Sequence, residues 1–540
     1  MSRARCLSTV FALLLIGGCS SHSGTGGYAP GIPDDIAAVF SKPMYQDSTW
    51  ALRVVDMDSG EVIYDLRSDE NLYVGSVRKL FTIGEALVAL GPDYTFRTPV
   101  YQQGNVSSEG VLEGDLILVA SGDFTMGGRR NPDGTMAVTD YDHNEANSLG
   151  NAELSAPDPL GGYDALARQV AASGITRISG DVIIDDRLFQ PFDFRDEFLV
   201  RPIFVNDDVV DVIINPTGPG ELASVEHRPA SQAFSVDSNL LTVSAGADTG
   251  VELIPELPDC IGTAGCSGSV IGDIAVDFVP PLTEAFPLVQ VFRIVEPANY
   301  ARTVFIEALE RAGVSVDSVP AVAANDRAAL PAKDSYSPDD LLAELVSLPY
   351  SEYARFVLKV SYNIGSDTSL MLWGLTEGVD SMDAALAAER EHLTQDIGIP
   401  GDEFLFFDGS GGGPATATNT AILQMLKYNS EQAVFPALLK AMPVMGEDGS
   451  LAFVTDFEAD PTLAGAKGNV IAKPGTYATG SEDGILLNGQ SFAGYIDARS
   501  GRRLMYALRV DNTPLGADVQ NIIEVFQDQG TISAIIWRDN

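Results

Sequence analysis

The chain has 540 residues, 45% of them hydrophobic and 20% charged, enough apolar material for about two to four folded domains and too much for wholesale disorder. Its formal net charge of −42 repels phosphate backbones and excludes nucleic acid as a partner. The acidic residues are spread along the chain and form no tail, which reads as a solvated acidic surface.

Residues 1–18 read as a signal peptide. Arg3 and Arg5 give a positive start, and residues 10–16 form an apolar run too short to span a bilayer as a mature helix. The run ends in Ile16-Gly17-Gly18-Cys19, small residues before a cysteine, as in a bacterial lipobox. Cleavage there would leave Cys19 carrying a lipid; an ordinary signal peptide cut nearby is the alternative. Residues 19–33 then form a flexible tether, rich in Ser and Gly at 20–27. No later stretch is long and apolar enough to cross a membrane, so the expected protein is exported and anchored to the membrane through lipid alone. Ser20 after the lipid cysteine fits periplasmic, outer-membrane sorting. Cys260 and Cys266 remain, with five residues between them in a Gly-rich loop. In an oxidising compartment they can close a small disulfide. A zinc site is the alternative, but no His lies near them.

In chain order, residues 50–56 and 61–66 alternate apolar and polar around Asp58-Ser59-Gly60, which predicts a hairpin. Val77, Leu80, Phe81, Ile83, Ala86 and Leu87 then recur at helical spacing, and Gly91-Pro92 ends that helix. Residues 96–288 change texture: short β runs at 116–120, 182–184 and 209–214, one helix at 163–172, and a polar stretch at 131–159 expected to be an exposed loop. This reads as a mostly-β insertion of two subdomains. Helices return at 298–312, 338–348, 351–372 (with a break near Ser361) and 382–397. Strands follow near 468–472, 493–497 and 504–510, then a last helix at 519–527. The expected fold is α/β, with residues 34–95 and 289–540 joining around a central antiparallel sheet flanked by helices and interrupted by the insertion.

The chemistry is carried by three short elements. The chain has four His and no HExxH helix, no G-x-S-x-G elbow and no P-loop. Ser76-Val77-Arg78-Lys79 opens the first long helix, and its spacing puts Ser76 and Lys79 on one face, a turn apart. A desolvated lysine beside a serine can lose its charge and take the serine proton. Ser361-Tyr362-Asn363 is an S-x-N element, and Lys473-Pro474-Gly475-Thr476 lies on a predicted strand. A single S-x-x-K arises by chance in a chain this long, and Ser76 could then be only a helix N-cap. The order S-x-x-K, S-x-N, K-x-G is that of penicillin-binding proteins and serine β-lactamases.

The chain resembles the class C low-molecular-mass penicillin-binding proteins, the D-alanyl-D-alanine carboxypeptidase/endopeptidase family with a large insertion. The resemblance runs from about residue 33 to 537. It extends to Gly114-Asp115-Leu116-Ile117-Leu118 with Ser121-Gly122-Asp123, to residues 178–185, to Val205-Asn206-Asp207-Asp208 and to Asp408-Gly409-Ser410-Gly411. It implies Ser76 as nucleophile and Lys79 as its base. Ser361 would relay a proton to the leaving amine, Asn363 would hold the substrate amide and orient Lys79, and Lys473 would attract the substrate carboxylate. The backbone N–H groups of Ser76 and Thr476 would form the oxyanion hole, with Gly475 and Thr476 binding substrate beside them. Implied partners are peptidoglycan stem peptides and, as covalent inhibitors, β-lactam antibiotics; no metal or organic cofactor is called for.

Two positions depart from the family pattern. Pro474 stands where a Thr or Ser hydroxyl usually helps bind the terminal carboxylate. A proline also donates no backbone hydrogen bond, so its strand position must be an edge or a bulge. Pro414 stands where some relatives carry an arginine for the free end of diaminopimelate, although Asp185 matches an acidic partner in that recognition. Pro474 leaves room for a catalytically impaired relative that binds peptidoglycan. A β-lactamase or esterase on the same scaffold would need a deacylating carboxylate, which the sequence does not place.

Overall fold

The computed structural model describes residues 31–540 except 262, 318–320, 482–483 and 517–519. Cys19, the expected signal peptide and most of the tether lie outside the described residues. A five-stranded sheet runs in the order Val62–Leu66, Thr49–Asp56, Arg503–Gly516, Gly484–Asp497, Val470–Ser481. Every neighbouring pair is antiparallel. The two ends of the chain thus build one sheet. Trp50, Leu52 and Val54 point to its core face at a period of two. Val470–Ser481 is the edge strand, where Pro474, facing Phe492, costs no interior ladder bond.

The last helix spans Gln520–Asp539, well past the expected end at 527. The polar run there is not a helix stop, because its side chains have partners. Asp528 accepts from Lys42 Nζ (2.6 Å) and Tyr45 (2.7 Å), and Gln529 donates to the Gln490 carbonyl (2.9 Å). Beyond it, Ile532, Ile535 and Ile536 return to the same face and are buried with Trp50, Phe492 and Leu508.

On the other side of the sheet, the helix Lys79–Leu90 is buried from Lys79 to Leu87 and ends at Gly91 (φ 87°). It packs against the helix Asn363–Thr376. The expected break near Ser361 is present: Tyr350–Val360 ends and Asn363–Thr376 begins around Ser361, which has φ 64°.

A second sheet has six strands, in the order Ser315–Val316, Arg177–Ile178, Val111–Val119, Thr95–Val106, Leu341–Pro349, with Val182–Asp185 also on Val111–Val119. It draws on both sides of residue 289. Its edge corrects the expected helix at 338–348. Leu341–Pro349 is a strand, because Thr95–Val106 offers it a partner: Leu345 lies opposite Thr98, the Ser347 hydroxyl accepts from the Phe96 N–H (2.9 Å), and Arg97 pairs with Glu344 (2.5 Å). The leucine spacing fits a helix too, and only a partner more than two hundred residues away decides between them. Cys260 and Cys266 form a disulfide.

The stretch 131–159 is only in part the exposed loop its polarity suggested: residues 132–135 are exposed, whereas 142–144 are buried. Asp142, His143 and Asn144 are buried, because their polar groups pair with one another and with Arg129, Asp207 and Asp211; Asn151, also buried, donates to Thr283 Oγ1 (2.6 Å) and accepts the Val289 N–H (2.7 Å).

Candidate active site

The serine turn is set by backbone crowding. Ser76 sits in the 3-10 turn Gly75–Arg78, directly ahead of the buried helix. Gly75 has φ 47°, and a Cβ there would stand 2.7 Å from Thr476 N; at Gly475 it would stand 2.1 Å from the Val74 carbonyl. Only glycine at both positions lets the turn lie this close to the edge strand. The Ser491 hydroxyl fastens the contact by donating to the Val74 carbonyl (2.8 Å).

Lys79 is fully buried, and its Nζ has three acceptors: Ser76 Oγ at 2.8 Å, Asn363 Oδ1 at 2.7 Å and the Ser410 carbonyl at 2.9 Å. Burial lowers its pKa to about 7, helped by the Arg195 charge and opposed by Asp367, Asp408 and Glu145. Lys473 is also buried, and its Nζ donates to Ser361 Oγ (2.9 Å) and to the Pro474 carbonyl (2.9 Å). Burial, then the Lys79 charge, holds it well below the ordinary lysine range. The left-handed backbone at Ser361 caps one helix, so both Ser361 and Asn363 reach the two lysines. The structure therefore brings Ser76, Lys79, Ser361, Asn363, Lys473, Gly475 and Thr476 together. The Thr476 hydroxyl, on an exposed residue, donates to Gln490 Oε1 (2.7 Å).

The Asp408-Gly409-Ser410-Gly411 motif forms the floor under Lys79. The Asp408 carboxylate accepts the backbone N–H groups of Ser410 (3.0 Å), Gly411 (2.6 Å) and Gly412 (2.9 Å). Thr82 and Ser366 both donate to the Gly409 carbonyl. Asp367 is buried beside them, and burial, with the Asp408 charge, pushes its carboxyl up to about 8. Arg78, between the motif's serine and lysine, is buried against Glu389 (2.5 Å) and donates to the Asp408 carbonyl (3.0 Å).

Among the described residues Asp185 hydrogen-bonds to none of these side chains. It ends the strand Val182–Asp185, and its oxygens accept from Arg187 (2.7 and 2.8 Å) and Tyr336 (2.6 Å). Two charged residues that sequence reasoning missed do reach the site from the inserted region. Arg195 sits at the tip of the hairpin formed by Phe192–Phe194 and Phe198–Val200, in left-handed backbone with Asp196. Its Nε lies against the Asp408–Gly412 loop: a Cβ on Gly412 would be 3.1 Å away. A cation thus comes to the loop where Pro414 left none, from more than two hundred residues away. Glu145 accepts from Asn363 Nδ2 at 2.6 Å. A lone Arg and a lone Glu in polar stretches carry no pattern that could have singled them out.

The Val205-Asn206-Asp207-Asp208 motif lies behind the S-x-N turn. Its three polar residues all have positive φ, and the Asp207 carbonyl accepts the Tyr362 hydroxyl (3.3 Å). Asp207 and Asp211 clasp His143 from both ring nitrogens, at 3.0 and 2.6 Å. Arg129 bridges Asp207 (2.5 Å) and Asp142 (2.7 Å), and Arg228 donates to Asp211 (2.7 Å). Burial opposes the His143 charge, but Asp211, Asp142 and Asp207 outweigh it and raise its pKa to about 9. Among the described residues no group of three or more His, Cys, Asp or Glu is arranged to hold a metal ion.

A serine at the mouth of a buried helix, a desolvated lysine one turn on and a second lysine on the sheet edge form an arrangement with the chemistry to support acyl transfer through the serine. The chain belongs to the D-Ala-D-Ala carboxypeptidase 3 (S13) family, which it matches over residues 32–529. It is 26% identical over 492 residues to a D-alanyl-D-alanine carboxypeptidase of Actinomadura sp. (strain R39), covering 87% of this chain and 79% of that protein. Its fold is similar to that of penicillin binding protein 4 from Haemophilus influenzae, with a TM-score of 0.67 at 18% identity over 93% of this chain and 99% of the other. The same Haemophilus protein complexed with a novel β-lactam gives a TM-score of 0.64.

Proposed function

We propose that the protein is a serine-type D-Ala-D-Ala carboxypeptidase/endopeptidase that cleaves peptidoglycan stem peptides through an acyl-enzyme on Ser76. The observation that carries this reading is the Lys79 amine, buried, lowered to about 7 and 2.8 Å from Ser76 Oγ. As the neutral amine it takes the serine proton while Ser76 Oγ attacks the carbonyl carbon of the penultimate D-alanine. The developing oxyanion is stabilised by the Ser76 and Thr476 backbone N–H groups, a pairing supported by the close approach of the Gly75 turn to Thr476 N. Ser361, bonded to Lys473, passes a proton to the leaving amine, and the C–N bond breaks. Water then hydrolyses the ester, releasing Ser76. Lys473 and Thr476 supply charge and a hydroxyl for the terminal carboxylate. Asp185, with both oxygens engaged by Arg187 and Tyr336, has no contact that supports a part in binding substrate.

The family fits an exported cell-wall enzyme. Among the described residues no helix is long and apolar enough to cross a membrane. The lipobox-like Gly17-Gly18-Cys19 and the polar tether support attachment through a lipid on Cys19, in the periplasm and on the outer membrane. The reading is tested by incubating the protein with a peptide ending in D-Ala-D-Ala and quantifying free D-alanine. Release that vanishes in Ser76→Ala sustains it; a folded wild type that releases none overturns it.

A further inference from the structure

Asn363 meets charged or titratable groups at both ends of its side-chain amide. Oδ1 accepts from Lys79 Nζ at 2.7 Å, and Nδ2 donates to Glu145 Oε1 at 2.6 Å. The two ends of an amide have almost the same shape, so hydrogen bonds alone decide which way it faces. While Lys79 is an ammonium it has only donors, and it holds Oδ1 towards itself. Once it is the neutral amine required of a base, it has a lone pair, and a flipped amide can donate Nδ2 to it. That flip would occupy the lone pair that must receive the Ser76 proton, and would turn Oδ1 towards the place of the substrate carbonyl. A carboxylate has only acceptors and accepts Nδ2 alone, so Glu145 forbids the flip in the state where Lys79 does not.

We propose that Glu145, supplied by the inserted region, is a positioning residue that locks the Asn363 amide and so keeps the neutral Lys79 free to deprotonate Ser76. Its own placement is rigid. Glu145 ends the turn His143–Glu145, capped by Asp142, which accepts the Asn144 N–H (3.2 Å). His143 beside it is clasped by Asp207 and Asp211, and the Asp207 carbonyl takes the hydroxyl of Tyr362, the residue before Asn363. One buried cluster therefore fixes both partners of the Glu145–Asn363 bond. Nδ2 carries two hydrogens, so the second stays available for a substrate carbonyl.

This inference rests on the acyl-enzyme reading, and its test separates the two. The acylation rate with a fluorescent penicillin is measured for wild type, Glu145→Ala, Glu145→Gln, Asn363→Ala and the Glu145→Ala/Asn363→Ala double variant. Glu145→Ala is expected to slow acylation about tenfold or more, the size of one hydrogen bond to a charged group. Glu145→Gln carries an NH2 donor as well as an acceptor, so it can pair with either face of Asn363 and no longer forbids the flip; it is expected to slow acylation much as Glu145→Ala does. In the Asn363→Ala background, Glu145→Ala should change nothing further. The proposal is overturned if Glu145→Ala acylates as fast as wild type or faster, which would make Glu145 idle or an obstruction. It is equally overturned if Glu145→Gln acylates as fast as wild type, which would show that any acceptor suffices, or if Glu145→Ala slows the Asn363→Ala variant further, which would make the carboxylate itself a base. Should wild type fail to acylate, the Ser76 reading falls, and urea unfolding of the same proteins still decides the clamp. Energetic coupling between positions 145 and 363 sustains it, and additivity rejects it.

Discussion

The acid limb of the acylation rate should report the Lys79 amine. Lowering a lysine from 10.5 to about 7 corresponds to about 5 kcal/mol of differential destabilisation of the ammonium. Above pH 7 most molecules then carry the neutral base. At pH 6 only about a tenth do, and the rate should fall about tenfold per further pH unit. Burial is the first cause of the shift and the Arg195 charge the second. Arg195→Ala therefore raises the pKa and moves the limb towards alkali. A move of about one unit would slow acylation at pH 6 by close to tenfold while leaving the plateau near pH 9 unchanged. The assay is the pseudo-first-order rate of labelling by a fluorescent penicillin from pH 5 to 9.5. An acid limb near 10, or a limb that Arg195→Ala leaves in place or moves towards acid, would refute the reasoning.

Three further outcomes follow from the packing. His143 is raised to about 9, so its cation stabilises the fold fully below its unfolded value near 6.5 and this contribution disappears as pH rises through 9. The difference in urea-unfolding free energy between wild type and His143→Gln should therefore shrink by about 3 kcal/mol between pH 6 and pH 10. Glu389→Ala strands the Arg78 guanidinium, which is 0% exposed, and should cost about 3–5 kcal/mol by chemical denaturation. Gly475→Ala drives a Cβ to 2.1 Å from the Val74 carbonyl. It should push the edge strand off the serine turn, lowering acylation by about a hundredfold or more with little change in far-UV circular dichroism.

The parts of the molecule legible in the sequence are those governed by local periodicity. The hairpin at 50–66, the buried helix from Lys79 and the break at Ser361 all leave their mark in spacing or in turn residues. The S-x-x-K, S-x-N and K-x-G elements could be paired because order along the chain carries information even when each is weak alone. What stayed hidden depends on partners far away in sequence. Leu341–Pro349 is a strand only because Thr95–Val106 lies beside it. Residues 142–144 are polar yet buried because they pair with Arg129, Asp207 and Asp211, and polarity by itself cannot tell a paired interior from a solvated loop. Glu145 and Arg195 reach the site from the inserted region, so no local pattern marks them. Asp185, marked by a segment match, turns out to be held by Arg187 and Tyr336.

The most direct test of the central claim is covalent labelling with a penicillin followed by peptide mass spectrometry. A single acyl adduct on Ser76 is expected, absent in Ser76→Ala and formed far more slowly in Lys79→Ala. An adduct on another residue, or none at high drug concentration on a demonstrably folded protein, would contradict it.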